Sequence, residues 1–487
     1  MAFIDGSALN VALPALQRDL GASGSDLLWI INAYLLMLAA LILVGGALGD
    51  RLGRRRVYIV GIVVFMLASL GCSLAPSATA LIAIRVVQGV GGALMIPGSL
   101  SLISAVYGVE RGQAIGTWSA LTTLATLGGP AIGGALADAG LWRGVFLLNL
   151  PLGMVALAIL LTRVPESHNP DATGALDYVG ALLVCFGLAA LTYGCLAAGD
   201  RGLEDWLVLA ALLGGTACLV GFVAVEARAA NPMMPLDLFR SVTFSGTNLL
   251  TLLLYGALSI GTLFLSLNLV QAQGYSQTQA GLAFIPLSLT LALLSRYTGR
   301  LADRLGPRLL LVVGPALVGV GFAMLALVGR SGGPGAYWTS FFPAILVFAV
   351  GMALTVAPLT AAVMGSVAME RSGTASGVNN AVSRIAGVLT IAVVGALALA
   401  TFGQSLDALT LAARLPESLR SAMLADASQL GALALPDGLD AAQRSAATEA
   451  ISGSLIAAYQ RVQWVCAGLA WCGALAAGAL VGREQRT

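Results

Sequence analysis

The chain contains very little charge and no lysine at all. Only 10% of its 487 residues are charged, against 58% hydrophobic residues, and all 25 basic residues are arginine. Soluble domains of this length carry far more polar residues, and apolar runs of about 20 residues predict transmembrane helices. The net charge of +2 gives no basic footprint for nucleic acid. The composition therefore predicts an integral membrane protein.

Residue types that carry catalysis and metal binding are also scarce. The six cysteines lie in apolar segments without the spacing of metal ligands, and they are predicted to be small packing residues. No Gly-Lys-Ser/Thr motif that would cradle a phosphate is present, so ATP as an energy source is unsupported. We therefore expect a protein that is not an enzyme and that uses no metal and no cofactor.

What the chain does contain is a succession of fourteen apolar segments divided by polar gaps. The first segment barely reaches the length that a helix needs to cross a bilayer core, which is about 20 residues. The natural chain is therefore expected to begin upstream of Met1. The segments cover approximately residues 1–16, 27–48, 57–75, 79–106, 113–137, 143–163, 175–198, 206–226, 243–271, 279–298, 308–328, 337–365, 376–402 and 461–482.

Arginine is distributed unequally between the two sides of the predicted membrane. With the loop at 49–56 in the cytoplasm, the short outside loops contain only Arg18, Arg143, Arg201 and Arg330. The cytoplasmic side then contains Arg51, Arg54, Arg55, Arg56, Arg111, Arg163, Arg228, Arg240, Arg300, Arg304, Arg308, Arg371, Arg483 and Arg486. Because basic residues concentrate in cytoplasmic loops, both termini are predicted in the cytoplasm, in a multi-pass protein of the plasma (inner) membrane.

One polar gap carries a motif that recurs later in the chain. Gly46-Ala-Leu-Gly-Asp50-Arg51-Leu-Gly53-Arg54 follows the second apolar segment, and Gly299-Arg-Leu-Ala-Asp303-Arg304-Leu-Gly306-Pro307 follows the tenth. A repeat in the same position relative to the membrane indicates two helical bundles of the same orientation, as in many secondary transporters. A positive-inside loop without any role in transport is the alternative.

The repeat and the segment count together predict an all-α integral membrane protein of fourteen helices. Two six-helix bundles related by a parallel pseudo-two-fold would occupy 1–163 and 243–487, with a linker and two extra transmembrane helices at 164–242. The C-terminal bundle is predicted to carry a long external loop at 403–460 with short amphipathic helices. That loop is either a solvated cap or a docking surface for a periplasmic partner.

Four further motifs lie in the predicted N-terminal bundle. They are Asp5-Gly-Ser-Ala-Leu-Asn10-Val-Ala-Leu-Pro14, Ile84-Arg85-Val-Val-Gln88-Gly89-Val-Gly91-Gly92, Gly128-Gly129-Pro130-Ala-Ile-Gly133-Gly134 and Trp142-Arg143-Gly-Val-Phe-Leu-Leu-Asn149-Leu-Pro151-Leu-Gly153. With the two loop motifs, they resemble the signatures of the major facilitator superfamily, specifically its fourteen-helix drug:proton antiporters, over nearly the whole chain. The resemblance implies a proton-coupled efflux transporter that exports lipophilic drug-like molecules or metabolites by alternating access.

Asp5 and Arg85 are isolated opposite charges within apolar segments, and intramembrane charges indicate function by default. Burial favours the protonated form of a carboxyl group, and a nearby cation favours the carboxylate. A carboxyl group held between these two influences can take a proton from one side of the membrane and release it to the other. We predict that Asp5 and Arg85 couple transport to protons; a static structural ion pair is the alternative.

The two loop motifs are predicted to latch one conformation. Asp50 and Asp303 each end a helix at the cytoplasmic face, where a carboxylate can meet the positive N-terminus of a neighbouring helix. The arginines beside them can pair with carboxylates such as Glu110 or Glu370. The predicted latch residues are Asp50, Arg51, Gly53, Arg54, Asp303, Arg304 and Gly306.

The glycine segment 128–134 has two compatible interpretations. Small residues let helix backbones approach closely in a membrane. The resemblance also implies a seam, kinked at Pro130, that seals the cytoplasmic-facing route and is typical of exporters. The residues concerned are Gly128, Gly129, Pro130, Gly133 and Gly134.

Polar residues inside the apolar segments are candidates for the wall of a substrate cavity, although many such residues only bond a neighbouring helix. Segments nine to fourteen contain no clearly intramembrane Asp or Glu, and cation recognition in a dry cavity needs a carboxylate or aromatic faces. We therefore expect multivalent cations to be poor substrates. The cavity candidates are Asn10, Asn32, Tyr34, Gln88, Asn248, Asn268, Asn379, Asn380 and Arg384.

The expected partners are the lipid bilayer, a small-molecule substrate and protons, and no nucleic acid is expected. Two alternative functions remain open. One is a dedicated exporter of a single endogenous metabolite or antibiotic. The other, from a different class, is a non-transporting membrane sensor or scaffold on the same fold. Some proteins of the family that the chain resembles work with a membrane-fusion partner, and the sequence leaves that question open.

Overall fold

The structure is a computed structural model that describes residues 1–482 except 108–121, 123–124, 126–127, 168–176, 203, 230–231, 233, 368–371, 434 and 437–438. The described residues form helices and connections with no strand, which confirms the all-α prediction. The helices are α1 (Ala2–Leu20), α2 (Gly24–Leu52), α3 (Arg54–Ser73), α4 (Ala78–Tyr107), α5 (128–138), α6 (Gly144–Leu147), α7 (Asn149–Arg163), α8 (Tyr178–Arg201), α9 (Trp206–Glu226), α10 (Val242–Gln271), α11 (Gln277–Leu282), α12 (Ile285–Leu305), α13 (Pro307–Leu327), α14 (Tyr337–Gly365), α15 (Ser372–Ala412), α16 (Glu417–Ala425) and α17 (Ala441–Leu480).

The described part of the chain contains twelve helical stretches that are long and apolar enough to cross a membrane, judged by length and composition. In this count α6 and α7 form one stretch, interrupted at Leu148, and α11 forms another with the start of α12. Two predicted segments are not among the twelve. They are the first, which forms α1, and the fifth, of which α5 is the described part. The protein is therefore a multi-pass membrane protein.

The N-terminal half is a bundle in which α4 packs along both α2 and α3. α3 in turn contacts α6 and α7. The core is closely packed between apolar side chains such as Leu38 and Phe65, which are fully buried. A β-carbon on Gly91 of α4 would come within 2.7 Å of the backbone nitrogen of Phe65. Glycine therefore permits the close approach of α3 and α4, as expected for helices in lipid.

The C-terminal half packs around α13 and α17. α13 lies against α14 and α17, and α10 lies against α15 and α17. Buried aromatic residues fill the core, with the ring centroids of Phe322 and Phe348 4.9 Å apart. A polar contact also crosses this core, because Gln463 on α17 donates to the backbone oxygen of Gly261 on α10 at 3.0 Å.

Two helices, α8 and α9, lie between the halves in the chain and pack against each other. Asp177 and Asp205 cap their N-termini by accepting from the backbone nitrogens of Gly180 and Leu207. α8 also contacts α2 of the N-terminal half and α15 of the C-terminal half. Both segments predicted between the bundles are thus helices, and α8 touches each half.

The connections between helices lie at two ends of the bundle. At the first, the Gly21 end, α1 stops and α2 begins after Ser23, whose side chain caps α2. At the opposite end, the Gly53 end, α2 passes into α3 through Gly53, which has φ 108°. The repeated loop motifs lie at the Gly53 end, which is therefore the end predicted to face the cytoplasm.

Two helices extend well beyond their apolar segments at the Gly21 end. α15 continues to Ala412 and α17 begins at Ala441, so much of the predicted loop 403–460 is helix. The sequence there is rich in alanine and leucine, which have high helix propensity, so the helices continue after the apolar pattern stops. The described residues of the remaining connection, 413–440, form what we call the cap. It includes α16 and packs onto the bundle through the buried side chains of Leu419 and Met423.

Candidate functional site

The two isolated charges of the apolar sequence meet inside the N-terminal half. Asp5 lies in the first turn of α1 and Arg85 lies on α4, with Asp5 Oδ2 and Arg85 Nη1 2.6 Å apart. Asp5 is 0% exposed and Arg85 is 1% exposed. A pair of charges withdrawn from water to this extent is tolerated only where further hydrogen bonds satisfy both groups.

Two polar side chains form hydrogen bonds with this pair, and a third accepts from both of them. Gln88 donates from Nε2 to Asp5 Oδ1 at 2.9 Å, and its Oε1 accepts from Arg85 Nη1 at 2.7 Å. Asn149 donates from Nδ2 to the same Asp5 Oδ1 at 3.1 Å. The Oγ of Ser69 lies 3.0 Å from Gln88 Nε2 and 3.2 Å from Asn149 Nδ2. Four helices, α1, α3, α4 and α7, are therefore tied together around one carboxylate.

Sequence reasoning identified Asp5, Arg85 and Gln88 but missed Ser69 and Asn149 as members of this network. Asn149 belongs to the motif that begins at Trp142, and an amide within an apolar segment is the signal that could have identified it. Ser69 carries no comparable signal, because a serine in a helix often bonds only its own backbone.

Arg85 has acceptors other than the carboxylate. Its Nε donates to the backbone oxygen of Ile30 on α2 at 3.1 Å. Its guanidinium carbon lies 4.4 Å from the ring centroid of Tyr34 and 6.0 Å from that of Phe146, which are distances for cation–π attraction. These contacts remain available to the guanidinium when Asp5 carries no charge.

Tyr34 connects this network with the C-terminal half. Arg384 on α15 lies close enough to interact electrostatically with the hydroxyl groups of Tyr34 and of Tyr255 on α10. Ala381, one turn before Arg384, is buried in the same apolar cluster as Tyr34. Of the predicted cavity residues, Tyr34, Gln88 and Arg384 therefore lie along one path between the halves.

A second polar group forms inside the C-terminal half, apart from the ion pair. Asn379 donates from Nδ2 to Asn248 Oδ1 at 3.1 Å and to Thr251 Oγ1 at 2.7 Å, which ties α15 to α10. Asn380, its neighbour in the chain, is exposed and donates to the backbone oxygen of Ser376. The structure thus brings Asn248 and Asn379 together but separates both from Asp5.

The other cavity candidates occupy different surroundings. The backbone oxygen of Asn10 accepts from Ser266 Oγ on α10 at 3.1 Å, a contact between the halves. Asn32 and Asn268 are fully buried, and within the described residues no protein group bonds their side chains. A buried amide without a partner costs free energy, so these two side chains are unfavourably placed in this conformation.

At the Gly53 end, Glu166 from the linker holds the first loop motif. Its carboxylate accepts from the backbone nitrogens of Arg55 at 3.0 Å and Arg56 at 3.2 Å, in the first turn of α3. The backbone oxygen of Ser167 accepts from Arg54 N at 2.8 Å. A carboxylate at this position is stabilised by the positive end of the helix. The loop motif predicts a carboxylate at a helix N-terminus, but nothing in the sequence points to Glu166.

Gly53 lies directly beneath this carboxylate. A β-carbon on Gly53 would come within 2.7 Å of Glu166 Cδ, and its φ of 108° disfavours any other residue. Gly306, the equivalent residue of the second motif, has φ 79° but open space around it. The two copies of the motif therefore both place a glycine with positive φ at the turn. Only the turn at Gly53 is covered by another side chain, that of Glu166.

The ionic pairing of the predicted latch stays a prediction. Of its arginines, Arg304 is exposed, whereas Arg51 and Arg54 are half-buried. The side chains that lie outside the described residues are those of Asp50, Glu110, Asp303 and Glu370.

The glycine segment lies against α1. β-Carbons on Gly129 and Gly133 would overlap atoms of Ser7 and Ala8, so these helices touch backbone to backbone. Gly128 has ordinary space around it. Against α1, the close packing expected of small residues in a membrane is thus found at Gly129 and Gly133 and not at Gly128.

The same segment also lies against α11 of the C-terminal half. A β-carbon on Gly134 would overlap the backbone oxygen of Gln277, and one on Gly281 would overlap that of Pro130. This contact forms a seam between the halves where α5 ends and α11 begins, at the Gly21 end. This end is opposite the loop motifs, which are predicted to face the cytoplasm. On that prediction the seam would close the external route, whereas the resemblance implied that it seals the cytoplasmic-facing route.

The cap strengthens the closure of the Gly21 end. Gln17 on α1 donates to the backbone oxygen of Gln429 in the cap at 2.8 Å and accepts from Gln271 on α10 at 2.7 Å. A β-carbon on Gly24 would lie 2.8 Å from Leu430, a buried cap residue with φ 53°. The cap therefore belongs to the C-terminal half by sequence and contacts the N-terminal half in space.

Known proteins are similar to this chain in sequence or in fold. The family model of the Major Facilitator Superfamily matches residues 1–391. The multidrug resistance protein Stp of Mycobacterium tuberculosis is 33% identical over 413 residues, 84% of this chain and 75% of that protein. The tetracenomycin C resistance and export protein of Streptomyces glaucescens is 30% identical over 459 residues, 94% of this chain and 85% of that protein. Among solved structures, the nucleoside transporter NupG has a TM-score of 0.60 at 13% identity, covering 99% of this chain and 98% of that one.

The family match and these relatives show that the chain is a membrane transporter and not an enzyme. The chain belongs to the Major Facilitator Superfamily.

Proposed function

We propose that this protein is a proton-coupled exporter of lipophilic drug-like molecules, located in the plasma (inner) membrane with both termini in the cytoplasm. Fourteen transmembrane helices form two six-helix bundles, 1–163 and 243–487, related by a parallel pseudo-two-fold, with α8 and α9 as the added pair in 164–242. Support for the cargo comes from the relatives, which are named for multidrug resistance and for export of tetracenomycin C.

The observation that carries the proposal is the carboxylate of Asp5, buried and bonded to Arg85 at 2.6 Å. Proton uptake by Asp5 removes its charge and weakens this bond, and a buried charge that loses its partner is strongly destabilised. Arg85 then depends on its other contacts, the backbone oxygen of Ile30 and the ring of Tyr34. The network therefore has two arrangements that differ by one proton.

α1 connects this proton site with the seam. Asp5 precedes Ser7 and Ala8, which pack against the glycine segment, by less than one helical turn. A shift of α1 that accompanies protonation of Asp5 is transmitted to the contact between α1 and α5. In the structure the seam is closed, so substrate would enter from the Gly53 end and leave after the Gly21 end opens.

Reconstitution in proteoliposomes tests this function. An imposed pH gradient should drive accumulation of a lipophilic fluorescent dye, and a protonophore should abolish it. Dye accumulation that is unchanged by the protonophore would contradict proton coupling. A sensor or scaffold would move no dye in either condition.

A dedicated exporter is the second candidate, because one relative is named for a single compound, tetracenomycin C. A resistance panel in an efflux-deficient host separates the two. Protection against one chemical class alone would favour the dedicated exporter, and protection across unrelated lipophiles favours broad export.

A further inference from the structure

A carboxylate at the end of the glycine segment bonds to the other half of the protein. Asp138 is the last residue of α5, and its Oδ1 and Oδ2 accept from the backbone nitrogens of Gln277 at 2.9 Å and Thr278 at 2.8 Å. Gln277 and Thr278 begin α11 in the C-terminal half. One side chain therefore makes two hydrogen bonds across the seam.

These bonds complete the capping of α11. The Oγ of Ser276 accepts from Gln279 N at 3.2 Å, and the side chain of Gln279 accepts from Ser276 N at 3.0 Å. The first N–H groups of a helix have no acceptor within the helix, so those of Gln277 and Thr278 need one from elsewhere. Asp138 provides it. The start of α11 is thus capped partly by its own half and partly by the other.

The glycines of the seam set the gap that this short side chain spans. Gly134 lies one turn before Asp138 and faces the backbone oxygen of Gln277, whereas Gly281 lies one turn after Gln277 and faces that of Pro130. A β-carbon at either glycine would push α5 and α11 apart. The aspartate side chain is short, so it reaches the N–H groups only while the two backbones remain in contact.

The charge of Asp138 supports the same contact. Burial acts to raise the pKa of Asp138, but hydrogen bonds from the side chain and backbone of Thr278, the backbone of Gln277 and the side chain of Ser276 outweigh it and hold the pKa below the ordinary value of 3.8. The group is therefore ionised at neutral pH, and hydrogen bonds to an ionised acceptor are stronger than those to a neutral one.

We propose that Asp138 is the clamp of the seam, a positioning residue for transport that sets the equilibrium between the closed and the open Gly21 end. The inference rests on the proposed alternating-access function, in which opening this end separates α5 from α11. Both hydrogen bonds of Asp138 break in that step, so their strength determines how often the end opens.

Hydrogen–deuterium exchange of the purified protein tests the clamp without any transport. In an Asp138→Asn variant, the amides of Gln277 and Thr278 should exchange about tenfold faster than in the wild type, because two charge-assisted bonds are weakened. Asp19→Asn is the matched control. Asp19 is also an exposed carboxylate at the Gly21 end, but it pairs with Arg143 inside the N-terminal half, so exchange in α11 should stay unchanged.

A second measurement follows the opening itself. Ser266, a buried residue that bonds Asn10 between the halves, is replaced by cysteine in a background without the six native cysteines. An impermeant maleimide should label this position several-fold faster when Asp138→Asn is added, and at the parent rate with Asp19→Asn. Unchanged exchange at α11, or unchanged labelling, overturns the clamp. A protein that gives both responses but moves no substrate retains the clamp and contradicts the exporter.

Discussion

Asn149 on α7 donates to Asp5 on α1 at 3.1 Å, so the carboxylate of the first helix is fastened to the last helix of the N-terminal half. The same oxygen also accepts from Gln88 on α4. Movement of α1 relative to its bundle must therefore disturb amide bonds as well as the ion pair with Arg85. The free energy needed to break these bonds links the charge state of Asp5 to the packing of several helices.

Asp5→Asn should abolish transport driven by a pH gradient while the protein stays folded. The amide can still accept from Gln88 and Asn149 but cannot exchange a proton, and Arg85 keeps its remaining contacts. Dye uptake by proteoliposomes measures the loss. The control is Asp19→Asn, which removes an exposed carboxylate from the same helix. This variant should transport like the wild type. Full proton-driven transport by Asp5→Asn would refute its role in coupling.

Arg85→Ala should shift the transport–pH profile towards alkaline pH. Removing a cation beside a buried carboxyl group favours its protonated form, so the proton is released only at higher pH. Breaking a buried pair also destabilises by about 3–5 kcal/mol, so rates are normalised to folded protein. Arg85→Lys retains a cation and should shift the profile less. An active Arg85→Ala variant with the wild-type profile would count against the pairing.

Gly53→Ala should destabilise the protein more than Gly306→Ala. Both positions have positive φ, for which a non-glycine residue costs on the order of 1–3 kcal/mol. Only at Gly53 would the added β-carbon also collide with the carboxylate of Glu166. Thermal unfolding in detergent should therefore show a larger fall in Tm for Gly53→Ala.

A double-mutant cycle isolates the part of this loss that is due to Glu166. In a Glu166→Ala background the collision is gone, so the additional cost of Gly53→Ala should shrink towards that of Gly306→Ala. An equal cost in both backgrounds would show that the carboxylate does not obstruct the β-carbon.

The pair of Asp19 and Arg143 should stabilise the protein at neutral pH but not in acid. Hydrogen bonds from Arg143 and Trp142 hold the pKa of Asp19 below its ordinary value of 3.8, against the opposing effect of burial. Because the folded-state pKa is lowered, this stabilisation is present above the unfolded value and is lost as pH falls through the folded one. Exposed pairs contribute about 0.2–1 kcal/mol. Asp19→Asn should therefore lower Tm slightly at pH 7, and a Tm difference that persists at about pH 2–3 would contradict the assignment.

Neutral lipophiles should be better substrates than divalent cations. Within the described residues of the C-terminal half, no carboxylate is buried, and the carboxylate of Asp5 is already occupied by Arg85. Cation binding away from water needs a free carboxylate or aromatic faces. A resistance panel should show protection against neutral antibiotics and little against divalent cationic biocides. Protection against the divalent cations alone would overturn this expectation.

The sequence predicted the ion pair because two isolated charges in apolar helices have few partners other than each other. It did not predict Ser69, Glu166 or Asp138, because each depends on which helices lie side by side. Asp138 is an ordinary acid at a helix end until α11 is placed against α5. Polar residues whose partners come from distant helices are therefore found only in the structure.

The ends of the helices also differ between the sequence-based prediction and the structure. The sequence places the end of the thirteenth segment at residue 402 because the apolar run stops there, yet α15 continues to Ala412. Hydropathy predicts where the chain leaves the lipid. Helix propensity and packing against α16 determine where the helix itself ends. The Asp407–Arg420 contact at 3.0 Å fixes that extension to the cap.

The length of α17 has a mechanical consequence. Its 40 residues make a rod of about 60 Å, roughly twice the thickness of a bilayer core of about 30 Å. With α15 beside it, this rod carries the cap at the tip of a lever arm rooted in the C-terminal half. When that half tilts, the tip sweeps through a wider arc than any residue within the lipid. A fluorophore at Ser418 on α16 would therefore amplify small rotations of the half into displacements large enough to follow by energy transfer.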